Sequence, residues 1–119
     1  MGHTFAKVKF FDKEKKNQKD VDLLVDTGST YSWVRRTILE NLGVVPIKPR
    51  NFQTIEGKII VRQIGEALVQ YDGESATTIV VFGEENDKEV MGVVTMEELG
   101  LEVDPVTQKL KKSKALLAI

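Results

Sequence analysis

The chain has 119 residues, 41% of them hydrophobic, so it is long enough to bury one core, and a single domain over residues 1–119 is expected. Its 17 basic and 18 acidic side chains leave a formal charge of -1, which gives no general attraction to nucleic acid or to an anionic membrane. Because it has no cysteine, disulfides, a thiolate nucleophile and a cysteine-rich zinc site are excluded.

The N-terminal stretch Met1–Phe11 lacks the apolar run and the small-residue cleavage site of a signal peptide. No later stretch approaches the length of a membrane span. We therefore expect a cytoplasmic protein with no membrane and no nucleic-acid partner. The single His3 lies near the terminus, where a solvated histidine is the simpler interpretation, and no metal or cofactor is predicted.

The first two predicted elements are strands. Apolar and polar side chains alternate over Phe5–Phe10, which is typical of a half-buried strand. The polar run Asp12–Asp20 is then predicted to be a solvated hairpin tip, and Val21–Val25 a second strand. That strand ends at Asp26-Thr27-Gly28-Ser29, residue types that favour turns, so it delivers Asp26 into a loop.

Two short helices are also predicted. One lies near Arg35–Leu42, where apolar residues recur at helical spacing and Gly43 provides a stop, and the other near Val93–Gly100. In each, a threonine and a glutamate three residues later have capping-box spacing, namely Thr37 with Glu40 and Thr95 with Glu98.

The segment between these helices has the signature of β-structure. Residues 52–82 show no helical period but contain several β-rich runs separated by glycines, which predicts a series of hairpins. The fold class is therefore mostly β and mostly antiparallel, with one or two short helices.

The second half of the chain repeats the order of the first. Val90-Met91-Gly92 precedes a short helix, as the apolar end of the second strand precedes the Asp26 loop and the first helix. This order indicates an internal duplication of strand, loop and helix. Gly92 takes the matching position, but no acidic residue stands just before it.

A carboxylate at the end of an apolar strand is costly to desolvate unless it is hydrogen-bonded, and Thr27, Gly28 and Ser29 offer hydroxyl and amide donors. Hydrolysis of an amide by two carboxyls that share a proton needs a second such group. Since the chain has one such loop, the second carboxylate must come from another copy, which predicts a symmetric homodimer.

Two motifs resemble a known family. Leu24-Val25-Asp26-Thr27-Gly28-Ser29, with Trp33-Val34 following closely, resembles the active-site loop of the pepsin clan, especially of its single-domain retropepsin branch. Val90-Met91-Gly92 resembles the second apolar-apolar-glycine motif of that family. The resemblance spans about residues 4–110 and extends to bacterial and archaeal retropepsin-like domains.

The resemblance implies a closed, barrel-like antiparallel domain that forms a symmetric dimer and acts as an aspartic endopeptidase on peptide or protein substrates. It implies that the two Asp26 carboxylates activate water within a catalytic loop of Asp26, Thr27 and Gly28. It further implies that Thr27 braces the two loops across the dimer axis, and that the Ser29 hydroxyl supports the site by bonding the outer carboxylate oxygen.

Residues 52–61 resemble the flap hairpin that covers the cleft of this family. The resemblance implies that Ile55, Glu56 and Gly57 contact the substrate. The segment departs from the family pattern because it has one glycine at the tip and no tyrosine.

The same residues admit other interpretations. Asp26-Thr27-Gly28-Ser29 alone could be an ordinary turn, and it also resembles a phosphate loop of sugar-kinase and actin-like ATPases, which the short chain argues against. A dimerisation or peptide-binding module with the protease fold but weak or no activity stays open. Tyr31 and Trp33 are interpreted as core residues rather than pocket residues.

The end of the chain is unusually apolar. Ala115-Leu116-Leu117-Ala118-Ile119 is expected either to reach a partner subunit, as a dimer-interface tail over residues 111–119, or to pack on its own subunit.

Overall fold

The computed structural model describes residues 4–114, most of which lie in or between strands. The strands are β1 (Phe5–Phe11), β2 (Gln18–Val25), β3 (Ser32–Arg35), β4 (Lys48–Gln53), β5 (Ile59–Tyr71), β6 (Glu74–Gly83), β7 (Val90–Met91), β8 (Leu101–Val103) and β9 (Leu110–Lys112). The helices are α1 (Arg36–Leu42) and α2 (Val93–Glu98). The prediction of a mostly β chain with two short helices is confirmed.

Strands β1 and β2 form the hairpin that their alternating pattern predicts. Ala6, Val8 and Phe10 on β1 are buried, whereas the residues between them are wholly or partly exposed. The turn is shorter than the predicted tip of residues 12–20, because residues 18–20 continue β2 and pair with residues 9–11 of β1.

The main sheet has the strand order β1-β2-β7-β3-β6-β5-β4, and β1 also pairs with β5, so the pairings close into a ring with β4 outside it. Strand β5 makes this possible because it is 13 residues long. Residues 64–71 pair with β6, while the opposite edge pairs with β4 through residues 59–64 and with β1 through residues 68–70. Most pairings are antiparallel, and β2–β7 and β3–β6 are parallel.

The core is formed by the buried faces of these strands together with one face of each helix. Phe10, Leu23 and Phe82 are its large strand residues, Leu39 and Leu42 come from α1, and Met96 comes from α2. Burying such apolar surface is the main favourable term in folding, so both helices are held by their packing on the sheet.

Both capping-box predictions are wrong, although both helices are present. Helix α1 has no side-chain cap, and Glu40 instead binds Arg36 one turn earlier, with 3.2 Å between Nη2 and Oε2. Its end at Gly43 is confirmed, with that residue in the left-handed conformation. In α2, Thr95 is buried and its hydroxyl is engaged with Ser32 and Thr78.

The parallel pairing of β2 with β7 brings the two repeated motifs together. Leu24 pairs with Val90 and Val25 with Met91, so the two apolar dipeptides lie side by side in register. The residues that follow them, Asp26 and Gly92, therefore leave the sheet at the same place.

A separate two-stranded sheet, β8–β9, follows α2. Its turn is organised by Asp104, whose carboxylate accepts hydrogen bonds from the backbone N–H groups of Val106 and Thr107, and these bonds lower the pKa of Asp104. His3 and the tail Ala115–Ile119 lie outside the described residues. Within residues 4–114, no helix is long and apolar enough to cross a membrane.

Candidate active site

Asp26 stands at the first position after β2, where its backbone is fixed on two sides. Its N–H donates to the carbonyl oxygen of Met91 at 3.0 Å, and its own carbonyl oxygen accepts from the N–H of Ser29 at 3.1 Å. The first bond continues the parallel pairing of β2 with β7, and the second closes the turn. The position of the Asp26 side chain is therefore set by the sheet.

The carboxylate of Asp26 is half-buried and is bound within its own loop. The N–H of Gly28 donates to Asp26 Oδ1 at 2.9 Å. A Cβ at Gly28 would lie 3.2 Å from the same oxygen, tighter than an ordinary contact, so glycine allows this close approach. Thr27 and Gly28 themselves are exposed at the surface of the chain.

The outgoing part of the loop is joined to the start of α2. The carbonyl oxygens of Ser29 and Thr30 accept hydrogen bonds from the N–H groups of Val93 and Val94, at 2.8 and 3.0 Å. The first N–H groups of a helix have no partner within it, so these bonds do the work of a cap. They explain why α2 needs no capping side chain.

Gly92 and three hydroxyl groups form the support beneath the loop. A Cβ at Gly92 would collide with the backbone of Tyr31 and would lie 2.8 Å from the carbonyl oxygen of Thr30, so only glycine fits there. The Gly92 N–H donates to Ser32 Oγ at 3.0 Å. The hydroxyls of Ser32, Thr95 and Thr78 then follow one another at 2.6 and 2.7 Å, all buried.

A groove of about 620 Å³ separates the Asp26 loop from the β4–β5 hairpin. Its lining includes the loop and the residues just after it, the hairpin, and the segment before β7, namely Asp26, Gly28, Ser29, Thr30, Tyr31, Trp33, Arg50, Asn51, Phe52, Gln53, Thr54, Ile55, Ile60, Asp87, Lys88 and Val90. This is the place where an extended ligand could meet the Asp26 carboxylate.

Aromatic contacts join the hairpin to the segment after the loop. Phe52 on β4 packs edge-on against Trp33 and Tyr31, with ring centroids 5.0 and 6.5 Å apart. The Arg50 guanidinium carbon lies 5.7 Å from the centroid of the Tyr31 ring, within cation–π range.

An ion pair joins the hairpin to the segment before β7. Arg62 on β5 binds both carboxylate oxygens of Asp87, at 2.6 Å from Nε and 3.1 Å from Nη2, and the N–H of Glu84 donates to Asp87 Oδ2 at 2.7 Å. The hydrogen bond from Arg62 lowers the pKa of Asp87 despite the opposing effect of burial. Asp87 is thereby held ionised within the wall of the groove.

Comparison with known proteins gives the family. A family model described as aspartyl protease matches residues 7–96, a stretch that includes the Asp26 loop, the hairpin and β7. The chain belongs to the aspartyl protease family. The retropepsin-like resemblance read from Asp26 and Gly92 is thereby confirmed, while the search of curated proteins finds no match to the chain.

The structure brings some of the expected site residues to one groove. Asp26, Gly28, Ser29 and Ile55 line it, whereas Thr27, Glu56 and Gly57 do not. Glu56 and Gly57 lie at the tip of the β4–β5 hairpin, in a turn closed by the N–H of Thr54 donating to the Lys58 carbonyl oxygen at 2.8 Å.

Ser29 has a different partner from the one that the resemblance implied. Its hydroxyl donates to the carbonyl oxygen of Tyr31 at 2.8 Å. The Ser29 hydroxyl proton therefore stabilises the outgoing part of the loop, and within residues 4–114 the Asp26 carboxylate accepts its hydrogen bond from the Gly28 N–H.

Several residues of the groove were not predicted from the sequence. The interpretation of Tyr31 and Trp33 as core is wrong, because both are half-buried and line the groove. Arg50, Phe52 and Lys88 were not singled out, and the only available signal was the alternation along β4, which puts Arg50 and Phe52 on one face.

Within residues 4–114, no three histidine, aspartate or glutamate side chains converge closely enough to hold an ion.

Proposed function

We propose that the protein is a homodimeric aspartic endopeptidase in which the Asp26 carboxylates of two subunits activate the attacking water. The observation that carries the proposal is a difference in ion pairing between the two carboxylates that line the groove. Asp87 is neutralised by Arg62, whereas Asp26 has no basic side chain within ion-pair distance among residues 4–114. Asp26 is thus the groove carboxylate left available for chemistry.

The proposed mechanism uses two carboxyls and one shared proton, as the general description of aspartic proteases has it. The ionised carboxylate takes a proton from the water as the water oxygen bonds to the scissile carbonyl carbon. The protonated carboxyl gives its proton to the carbonyl oxygen, which yields a tetrahedral diol. Return of a proton to the amide nitrogen accompanies C–N cleavage and releases an acid and an amine.

The remaining residues of the loop support this assembly. Thr27 and Gly28 are exposed in the single chain, which suits a loop that meets its copy across a two-fold axis. In the proposed dimer Thr27 braces the two loops, Gly28 donates to the carboxylate, and Ser29 holds the loop through Tyr31.

The β4–β5 hairpin is proposed to act as the flap, over residues 52–61. Ile55 is fully exposed at its tip and borders the groove, so it is the hairpin residue best placed to cover a bound peptide. Glu56 and Gly57 at the same tip would then contact the substrate or the opposite flap after closure.

The test is digestion of a peptide library by the wild-type chain and by Asp26→Asn, which keeps the size of the side chain. We expect peptide cleavage by the wild type and a loss of at least about a thousandfold in the variant, since removing a principal catalytic group has an effect of that order. Sedimentation of both proteins is the control, and the variant should remain dimeric. Equal cleavage by both proteins would remove Asp26 from the mechanism.

The second candidate is a peptide-binding module that keeps the fold with little or no turnover. The observation that favours it is the hydroxyl of Ser29, which is directed to the Tyr31 carbonyl oxygen instead of the Asp26 carboxylate. A statine-type peptide, whose hydroxyl replaces the attacking water, separates the two candidates. Binding of that peptide together with cleavage supports the endopeptidase, and binding without cleavage of any peptide supports the module.

A further inference from the structure

The charges of the groove are unbalanced toward the positive. Four of its lining residues are charged at neutral pH, namely Asp26, Arg50, Asp87 and Lys88. Asp87 is bound at both oxygens by Arg62, which is not one of the lining residues, so the charge of Asp87 is already compensated. The two basic side chains remain to act on a ligand.

Neither basic side chain is neutralised within the described residues. Between Thr4 and Lys114, no carboxylate lies within 4.0 Å of Arg50 or Lys88, whereas Arg35, Arg36 and Arg62 all have one. Arg50 and Lys88 are also exposed, so a ligand in the groove can reach both.

Arg50 is held in place without using its hydrogen-bond donors. Its guanidinium lies near the Tyr31 ring, and within residues 4–114 none of its N–H groups donates to a protein acceptor. A guanidinium presents a fixed set of N–H groups that matches a carboxylate, and partial ordering by the ring reduces the entropy lost on binding.

The pairing of β4 with β5 also favours an anionic ligand at Arg50. Arg50 and Arg62 are directly opposite on β4 and β5, and like charges at such positions destabilise a strand pair. Asp87 relieves this repulsion at Arg62. An anionic group bound at Arg50 would relieve it on the other strand.

We propose that the groove selects peptides with an acidic side chain near the scissile bond, received by Arg50 and Lys88. The location near a scissile bond rests on the proposed endopeptidase function. The preference for binding an acidic side chain does not require turnover. A proposed dimer would carry two copies of each basic residue. The apolar part of the wall, which includes Trp33, Phe52 and Ile60, suits apolar side chains at other positions.

The experiment measures binding and cleavage of matched peptides. Short fluorescent peptides with an apolar centre carry one glutamate at successive positions, and each is paired with the same peptide carrying glutamine, which has the same shape without the charge. Binding is measured by fluorescence anisotropy on wild type and Asp26→Asn at about pH 6, where a free glutamate is ionised.

At one or more positions we expect glutamate to bind about tenfold more tightly than glutamine, the factor that a hydrogen bond to a charged group commonly provides. Arg50→Gln and Lys88→Gln should each reduce this preference. The matched control is Lys48→Gln, which removes an equal charge from the same face of β4 at a residue outside the groove lining. The preference should also weaken with added salt.

The outcomes separate the inference from the proposed function. Equal binding of glutamate and glutamine peptides at every position, or no binding of either, overturns the inference, and cleavage of such peptides would leave the endopeptidase in place. A third outcome is that glutamate peptides bind preferentially, that Arg50→Gln or Lys88→Gln reduces the preference, and that no peptide is cleaved. This outcome supports the inference and contradicts the proposed endopeptidase function. An equal loss of preference in Lys48→Gln would also overturn the inference, because the effect would then come from general charge.

Discussion

At the scale of single residues, the Asp26 carboxylate depends on a few short contacts that leave little room for substitution. Its loop is bound to β7 through the Met91 carbonyl oxygen, to α2 through Val93 and Val94, and to itself through Gly28. A group held by backbone bonds of this kind is already oriented before a ligand arrives. The loop therefore has the rigidity that a site built from two copies would need.

Gly92 is the residue for which this close packing makes the sharpest prediction. Gly92→Ala should lower the free energy of unfolding by about 3 kcal/mol, because the added methyl group meets backbone atoms of Tyr31 and Thr30 that cannot move independently of the loop. Urea denaturation followed by circular dichroism measures this.

The control for Gly92→Ala is Gly73→Ala, where the added methyl group has no neighbour within 4 Å. Only the positive φ of that turn residue is then strained, at a cost of about 1 to 2 kcal/mol. If Gly92→Ala were no more costly than Gly73→Ala, the loop would not be packed as closely as described.

The pH dependence of hydrolysis is a second property of single residues. If two Asp26 carboxyls share one proton, activity should follow a bell-shaped pH profile, because the step needs one carboxyl as the acid and one carboxylate as the base. The measurement is kcat/KM for one neutral peptide between about pH 3 and 8, and a flat profile would contradict the shared proton.

At the scale of elements, the β4–β5 hairpin is attached to the molecule by its root and not by its tip. Phe52 packs on Trp33, Arg50 lies near Tyr31, and Arg62 binds Asp87, whereas the tip at Ile55 is fully exposed. Motion of the hairpin would then pivot about these contacts, which leaves the tip free to close over a ligand.

The Arg62–Asp87 pair should contribute measurably to stability, because both side chains are largely buried and two hydrogen bonds join them. Asp87→Asn should lower the free energy of unfolding by about 1 to 2 kcal/mol at neutral pH. Glu40→Gln, which weakens an exposed ion pair, is the control and should have less effect.

Acidification should narrow the difference in the free energy of unfolding between wild type and Asp87→Asn. The pKa of Asp87 is lowered in the folded protein, chiefly by the Arg62 hydrogen bond, so its contribution is complete above the unfolded value of about 3.9. The contribution is lost as the pH falls through the lower folded pKa. Urea denaturation of both proteins at about pH 7 and about pH 3 tests this. If the difference in their free energies of unfolding widened in acid, the Arg62–Asp87 pair would not be the source of that difference.

At the scale of the whole molecule, the single chain has one Asp26 loop, and the matching place beside it in the sheet is taken by Gly92. The two repeated motifs pair within one chain, but only one of them bears a carboxylate. A two-carboxyl site would therefore need two chains, so the proposed activity would be a property of the assembly.

Subunit mixing tests this directly. When wild type is unfolded and refolded together with a ninefold excess of Asp26→Asn, activity per wild-type chain should fall to about a tenth, because most wild-type chains then pair with an inactive partner. Refolding with the same excess of Lys48→Gln, which keeps Asp26, should not reduce it. Unchanged activity in the Asp26→Asn mixture would mean that each chain acts alone.

Much of this molecule could be predicted because the relevant signals are local. The alternation in β1, the stop at Gly43 and the loop after Val25 each depend on residues only a few positions apart, and all three are present. Asp26 with Gly28 and Gly92 were enough to indicate the family that the comparison confirms. Backbone preferences and burial patterns act within such short windows, so a single sequence displays them.

Only the tertiary structure decided which side chains that are far apart in the chain become partners. Thr95 joins Ser32 instead of capping α2, Arg62 finds Asp87, and Tyr31 and Trp33 face a groove instead of the core. Each outcome depends on which strands become neighbours and in what register, since a shift of one residue would turn every side chain of a strand to the other face. The sequence alone therefore determined the loop and its carboxylate, and the closing of the strands into a ring decided what surrounds them.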